Sequence, residues 1–279
     1  MPDSFVLLGA DDPQSPVVLS VPHAGRDYPP ALHDALRAPP ASLRTLEDRH
    51  VDAIALAARG REAALIQTRP RAWIDLNRGE HERDPLIDDG ARGLPLTAKV
   101  RAGLGLIPRR TAAAGDLWSR RLAGGEVEER IASDHRPYHD ALAAVLERTR
   151  ARFGVAVLFD VHSMPPIAGN AARVVIGDRF GRAAAQRFVR RLEQETRTHG
   201  IGYAINTPYA GGHILERHAD PRRGVHGIQL EIDRSLYLDR ALDAPGPGMA
   251  AVIRLVRAMI AALTDEAFAG LPPVQQAAE

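Results

Sequence analysis

An α/β fold is predicted for this chain of 279 residues by three observations. Residues 155–159 are continuously apolar and residues 16–22 are apolar but for Ser20, both rich in valine, as strands buried on both faces are. Stretches with helical amphipathic spacing alternate with such runs. Polar residues able to do chemistry follow directly at the strand ends, where open α/β sheets hold their sites.

Bulk composition narrows the classes. Hydrophobic residues make up 45% and charged ones 25%, enough apolar material for one sizeable core. No repeat, linker or composition break divides the chain, so residues 1–279 read as a single domain with a loose tail after about residue 272. A formal net charge of +1 and the lack of an aromatic–basic stripe argue against nucleic acid and anionic membranes as partners. With no cysteine, any metal has to be held by imidazole and carboxylate. Lys99 is the only lysine among 36 basic residues, a bias that lowers the weight of any single arginine. The start lacks a basic segment and has only a short apolar patch over residues 5–8. No apolar run reaches the length of about 18 that a membrane span needs, so a cytoplasmic protein is expected.

The elements follow in order. Residues 16–22 form a strand that delivers His23, and Ala24 and Gly25 let the chain turn and leave the imidazole uncovered. Pro29 and Pro30 precede a helix over roughly 30–38, and a longer helix is expected from Ser42 to about Ala58. On it Leu43, Leu46, Val51 and Ile54 make an apolar face from which Leu56 falls outside, interrupted by Glu47 and His50 and flanked by Asp48 and Asp52. Residues 63–68 and 72–76 read as two strands joined at Pro70, the second ending in Asn77 and Arg78. Residues 79–115 are loop-rich, and a loop that long inside a domain is usually functional. Residues 116–152 read as helical, with breaks near Gly124-Gly125 and Pro137; His135-Arg-Pro-Tyr-His139 opens the last helix. A strand over 172–177, a helix over 182–199, a turn-rich loop over 206–212 with His213 just after it, a strand over 225–233 and a helix over 248–263 complete the reading.

Within 155–163 the spacing Asp160-x-His162 puts both side chains on one side of a strand. Asp160 can then accept the second ring N–H of His162 and fix its tautomer, as carboxylates behind metal-bound histidines do. His23, Asn77-Arg78, Asp160-x-His162 and Glu231 thus all stand at strand ends or within a final strand, and one shared sheet would gather them on one rim. Two imidazoles and a carboxylate make an open catalytic zinc shell. His23 and His162 supply the nitrogens; Glu47, Asp48 or Glu231 could supply the oxygen. The local template His-x-x-Glu fails, because Arg26 stands at that spacing from His23. Glu231 is the better general base, and Arg78 suits bidentate capture of a carboxylate unless Asp75 already holds it.

Taken together, Val21-Pro-His-Ala-Gly25, Asp48, Asp75-Leu-Asn-Arg78, His135-Arg-Pro-Tyr-His139, Asp160-Val-His-Ser163, Asn206-Thr-Pro-Tyr209 and Leu230-Glu-Ile232 resemble the N-formylglutamate amidohydrolase family, over about residues 16–240. More distantly they are similar to the aspartoacylase and zinc carboxypeptidase superfamily. The resemblance implies a three-layer α/β/α fold with a central mixed sheet, phosphorylase/hydrolase-like, and zinc-dependent hydrolysis of N-formyl-L-glutamate late in histidine breakdown. By position it implies His23, Asp48 and His162 as zinc ligands, with Glu47 a rival to Asp48, and Glu231 as base. It further implies Asn77, Arg78 and Tyr209 on the substrate, a small N-acyl amino acid. Arg136 is a candidate for the oxyanion, and Arg71, Arg136 and Arg234 for a second substrate carboxylate. Two other readings remain: hydrolysis of a different N-acyl amino acid or peptide, and a metal-free binding protein on a degenerate hydrolase scaffold.

Overall fold

The structure is a computed structural model and describes residues 4–269 apart from 92, 94, 95, 168, 170 and 171. The expected loose tail therefore lies outside the described residues. In chain order the first half runs β1 (Phe5–Leu8), β2 (Val17–Val21), α1 (Pro30–Ala35), α2 (Val51–Ala58), β3 (Ala63–Gln67), α3 (Ala98–Arg101), β4 (Arg110–Thr111), β5 (Gly115–Asp116) and α4 (Gly124–Arg130). The second half runs α5 (Arg136–Phe153), β6 (Ala156–Met164), β7 (Val174–Gly177), α6 (Gln186–Thr198), β8 (Tyr203–Ile205), α7 (His213–His218), β9 (Val225–Asp233) and α8 (Met249–Ala269).

Seven strands form one sheet in the order β1-β3-β2-β6-β9-β7-β8. Strands β3, β2, β6 and β9 are mutually parallel, while β1 runs antiparallel to β3 and β7 antiparallel to β9, with β8 parallel to β7, so the sheet is mixed. Helices cover both faces, which is why β6 and β9 are buried along their whole length. Val157, Phe159, Ile228 and Leu230 join Ile54, Phe188 and Met259 of α2, α6 and α8 on one face. Ala156 and Leu158 join Leu142 and Leu146 of α5 on the other. This is the three-layer α/β/α architecture expected, and among the described residues no helix is long and apolar enough to cross a membrane.

Three expectations need correction. The single helix over 42–58 is broken: a 3₁₀ turn covers Pro40–Leu46, and α2 starts only at Val51. Between them the chain is extended at Glu47 and left-handed at His50 (φ 61°), and Asp48 N–H donates to the His23 carbonyl at 2.9 Å. A continuous helix could not make that bond, and so could not bring Asp48 beside His23. Second, residues 72–76 are turns rather than a strand. Both edges of β3 are already taken by β1 and β2, which leaves residues 72–76 no free edge there. In the sequence β1 itself shows only as an apolar patch.

Third, residues 117–123 are not helical; α4 starts at Gly124, where the Glu126 carboxylate accepts the Ala123 N–H at 2.7 Å. Pro137 does not break the chain's helical course either. A wide π-turn at Ile131–His135 precedes it, and Pro137 falls in the first turn of α5.

Candidate active site

The parallel centre of the sheet positions the site. Register sets Ser20 beside Asp160 on β2 and β6, and His162 beside Glu231 on β6 and β9. Just past β2, His23 leaves the sheet in a loop packed so tightly that a Cβ at Gly25 would lie 2.1 Å from the Arg69 carbonyl. Close approach, more than turning, explains this glycine. The loop before α2 adds Asp48. His23, Asp48, His162 and Glu231 open onto a cavity of about 790 Å³, which Asn77, Arg78 and Tyr209 also line.

His23 Nε2 lies 2.7 Å from Asp75 Oδ1, and His162 Nε2 lies 2.8 Å from Asp160 Oδ2. A carboxylate only accepts, so each imidazole carries a proton on Nε2 and turns Nδ1 inward, where it is a lone pair whenever the ring is neutral. The two Nδ1 atoms face each other at 3.1 Å, with Asp48 Oδ2 at 3.2 Å from one and 3.5 Å from the other. Three buried acceptors on one point repel unless a proton or cation sits among them. Neutral imidazoles plus a carboxylate, each oriented by an outer partner, match the donor set of a divalent metal. Asp48 is further held through Oδ1 by Ser163 Oγ at 3.2 Å and Arg234 Nη2 at 3.1 Å.

The electrostatics show a cluster that attracts positive charge, whether a proton or a cation. Burial would raise the Asp48 pKa, but hydrogen bonds and charge from His162 and His23 bring it well below the usual carboxylate range. Burial would lower His162, yet Asp160 and Asp48 lift it well above the ordinary histidine value. Burial likewise would raise Asp75, while Arg71, Arg78 and His23 hold it far down. Glu231 is different: burial pushes it up to about 7, opposed by His162 and assisted by Asp48. A carboxylate titrating near neutrality beside a metal-type cluster is suited to moving protons.

Glu47 does not compete with Asp48. It is buried on the far side of the loop, bonded to Tyr28 and, at 2.6 Å, to Arg49. Arg136 is not brought to the site: its side chain is 51% exposed and pairs with Glu80 at 2.7 Å. Asn77 faces the cavity, but its amide accepts from Ile214 N–H at 2.9 Å and donates to Gln229 at 3.2 Å. Arg78 is 3.9 Å from Asp75 and spends Nε and Nη1 on the Leu104 and Asn77 carbonyls. Of the remaining arginines named, Arg71 is bound to Asp75 at 2.8 Å and Arg234 to Asp48.

Sequence reasoning misses four residues. It offers Asp75 as a partner for Arg78, but Asp75 orients His23. Gln229 donates to Glu231 Oε1 at 2.8 Å; the period-2 alternation of β9, which puts 229 on the same side as 231, carries that signal. Lys99 and Arg110 line the cavity mouth from the 79–115 segment. Neither side chain has a hydrogen-bond or ion-pair partner among the described residues. Loss of water contact and the charges of Arg78 and Arg71 hold Lys99 below the usual lysine pKa.

The sequence model of a family described as N-formylglutamate amidohydrolase matches residues 15–238. The chain belongs to that family. It is 30% identical over 231 residues to an N-formylglutamate deformylase of Pseudomonas putida, covering 80% of this chain and 82% of the relative. A second N-formylglutamate deformylase, from Pseudomonas aeruginosa, is 28% identical over 264 residues, 91% of this chain and 93% of the relative. The crystal structure of an N-formylglutamate amidohydrolase from Ralstonia eutropha JMP134 superposes with a TM-score of 0.87 at 31% identity, over 96% of this chain and 99% of that one.

Proposed function

We propose that the protein is a metal-dependent amidohydrolase that cleaves the formyl amide of N-formyl-L-glutamate to formate and L-glutamate. The observation that carries this is the meeting of His23 Nδ1, His162 Nδ1 and Asp48 Oδ2 within 3.5 Å of one another, with Glu231 on the adjacent strand. Family membership supports the substrate. Zinc, a role in histidine breakdown and a cytoplasmic location belong to the same reading and rest on the family resemblance.

His23, Asp48 and His162 would hold the metal, which when bound polarises a carbonyl and lowers the pKa of water. Glu231, fixed by the Gln229 amide, takes a proton from the attacking water. The water oxygen bonds to the formyl carbon, the C–N bond breaks, and Glu231 returns the proton to the departing amine nitrogen. Asp75 and Asp160 keep both imidazoles in the tautomer that presents Nδ1. Glutamate carries two carboxylates, and the cavity answers with Arg78, Lys99 and Arg110, with Tyr209 also in its lining. Those cations favour a dicarboxylate over a neutral acyl amino acid.

Formate release or deacylation is to be followed side by side on N-formyl-L-glutamate, N-acetyl-L-aspartate and N-formyl-L-methionine. The reading expects kcat/KM highest on the first by at least about tenfold, the weight of one charged hydrogen bond. Equal or better turnover of the other two would move the assignment to a different N-acyl amino acid.

A further inference from the structure

His135, His139 and His213 form a second cluster that the reaction above leaves unused. One nitrogen from each lies within 4.8 Å of the others. The ring centroids stand 4.4 Å apart for His135 and His139, 5.3 Å for His139 and His213, and 5.9 Å for His135 and His213. None of the three lines the catalytic cavity. The π-turn at Ile131–His135 leads His135 into the start of α5, within reach of the His139 ring, and His213 opens α7.

Hydrogen bonding again fixes the tautomers. His135 Nε2 donates to the Arg78 carbonyl at 2.8 Å and His139 Nε2 to the Leu76 carbonyl at 3.0 Å, leaving a lone pair on each Nδ1. His135 Nδ1 and His213 Nε2 are buried and have no hydrogen-bond partner among the described residues. His139 Nδ1 accepts from His218 Nε2 at 2.8 Å, a bond that coordination would replace. Glu80 Oε1, 3.8 Å from His135 Nδ1, supplies a nearby negative charge.

We propose that His135 Nδ1, His139 Nδ1 and His213 Nε2 form a second divalent transition-metal site, separate from the catalytic one. Three imidazoles suit zinc, copper or nickel. A tetrahedral zinc with bonds of about 2.1 Å holds its nitrogens about 3.4 Å apart, so side-chain rotations of about 1 Å complete the shell. Burial depresses the pKa of His135, His139 and His213, the last to about 4, so the donors are neutral at pH 7 as coordination requires. The role is structural. Because two of the rings also hold the carbonyls of Leu76 and Arg78, a metal here braces the turn that presents Asn77 and Arg78 to the cavity.

The test is a zinc titration of tag-free, chelator-stripped protein, with bound metal counted per chain and Tm followed. Wild type should bind two equivalents, and His213→Ala, His135→Asn and His162→Ala one each. The double variant His162→Ala/His213→Ala should bind none, His218→Ala should keep two, and zinc should still raise the Tm of His162→Ala. Circular dichroism confirms that each variant is folded. Wild type binding one equivalent that His213→Ala retains, or two that survive both His213→Ala and His135→Asn, overturns the second site and leaves the catalytic reading intact. One equivalent lost with His213→Ala but not with His162→Ala would support this site while overturning the catalytic metal.

Discussion

The Nδ1 atoms of His23, in the loop after β2, and of His162, on the neighbouring parallel strand β6, face each other at 3.1 Å, although 139 positions separate them in the chain. Each ring is turned to that contact by a buried carboxylate behind it. The site is therefore made by the sheet's register and by two aspartates that need never touch the substrate.

Asp160→Asn tests that role. The amide keeps the size of the side chain and its bond to Ser20, which lies 2.7 Å from Asp160 Oδ1, but it no longer fixes the His162 tautomer. Metal affinity, measured by competition with a chelator, should fall by roughly 10- to 100-fold with the fold intact. Unchanged affinity would show that His162 needs no such partner.

Glu231→Gln separates metal binding from proton transfer. The variant should keep its metal while kcat falls by at least about 10²-fold. In wild type, burial holds the Glu231 pKa up to about 7, and a bound cation would pull it lower. A base works only when deprotonated, so kcat/KM should decline as pH falls through a value at or below about 7. That acid limb should vanish in the Glu231→Gln variant; a limb that persists there belongs to another group.

Among the described residues, Lys99 and Arg110 have no side-chain partner in a cavity whose other cations are engaged. Lys99→Ala should raise KM for N-formyl-L-glutamate by roughly 10-fold or more, as expected for loss of one charged hydrogen bond. Kinetics on N-formyl-L-methionine should change much less. An equal loss on both substrates would place Lys99 in the general architecture of the mouth.

His226 gives a pH dependence away from both clusters. Burial, then Arg187, lowers its pKa to about 4, and its Nδ1 accepts the Ala185 N–H at 3.3 Å. Unfolded, the ring titrates near the ordinary value of about 6.5. Between those values the unfolded chain binds the extra proton, so stability is full above about 6.5 and is lost as pH falls toward 4. Urea unfolding of wild type and His226→Gln at pH 7.5 and 4.5 should differ by up to about 3 kcal/mol in their pH response. Parallel responses would assign the acid sensitivity elsewhere.

How much of this could be read from the chain depends on the range of the interaction involved. Strands β2 and β6 were legible because burial on both faces leaves largely apolar runs at their starts, and β9 because its two faces differ. Asp160 beside His162 was legible because a strand's period of two is local. The strand assigned to residues 72–76 failed because a strand also needs a free neighbour, and β3 had none left. The helix over 42–58 failed because apolar residues keep helical spacing on both sides of Glu47–His50, while the bond from Asp48 N–H to the His23 carbonyl depends on a residue far upstream. Asp75 could not be assigned to His23 rather than Arg78 for the same reason. Lys99 stood out only as the lone lysine, and its place at the cavity mouth follows from how the 79–115 segment folds back.

The most direct test counts metal and formate in the same samples of wild type and His162→Ala. Wild type should release formate from N-formyl-L-glutamate. His162→Ala should lose one metal equivalent per chain and at least about 10³-fold in turnover, the scale on which catalytic groups act. Full metal content or near wild-type formate release in His162→Ala would contradict the site built on His23, Asp48 and His162.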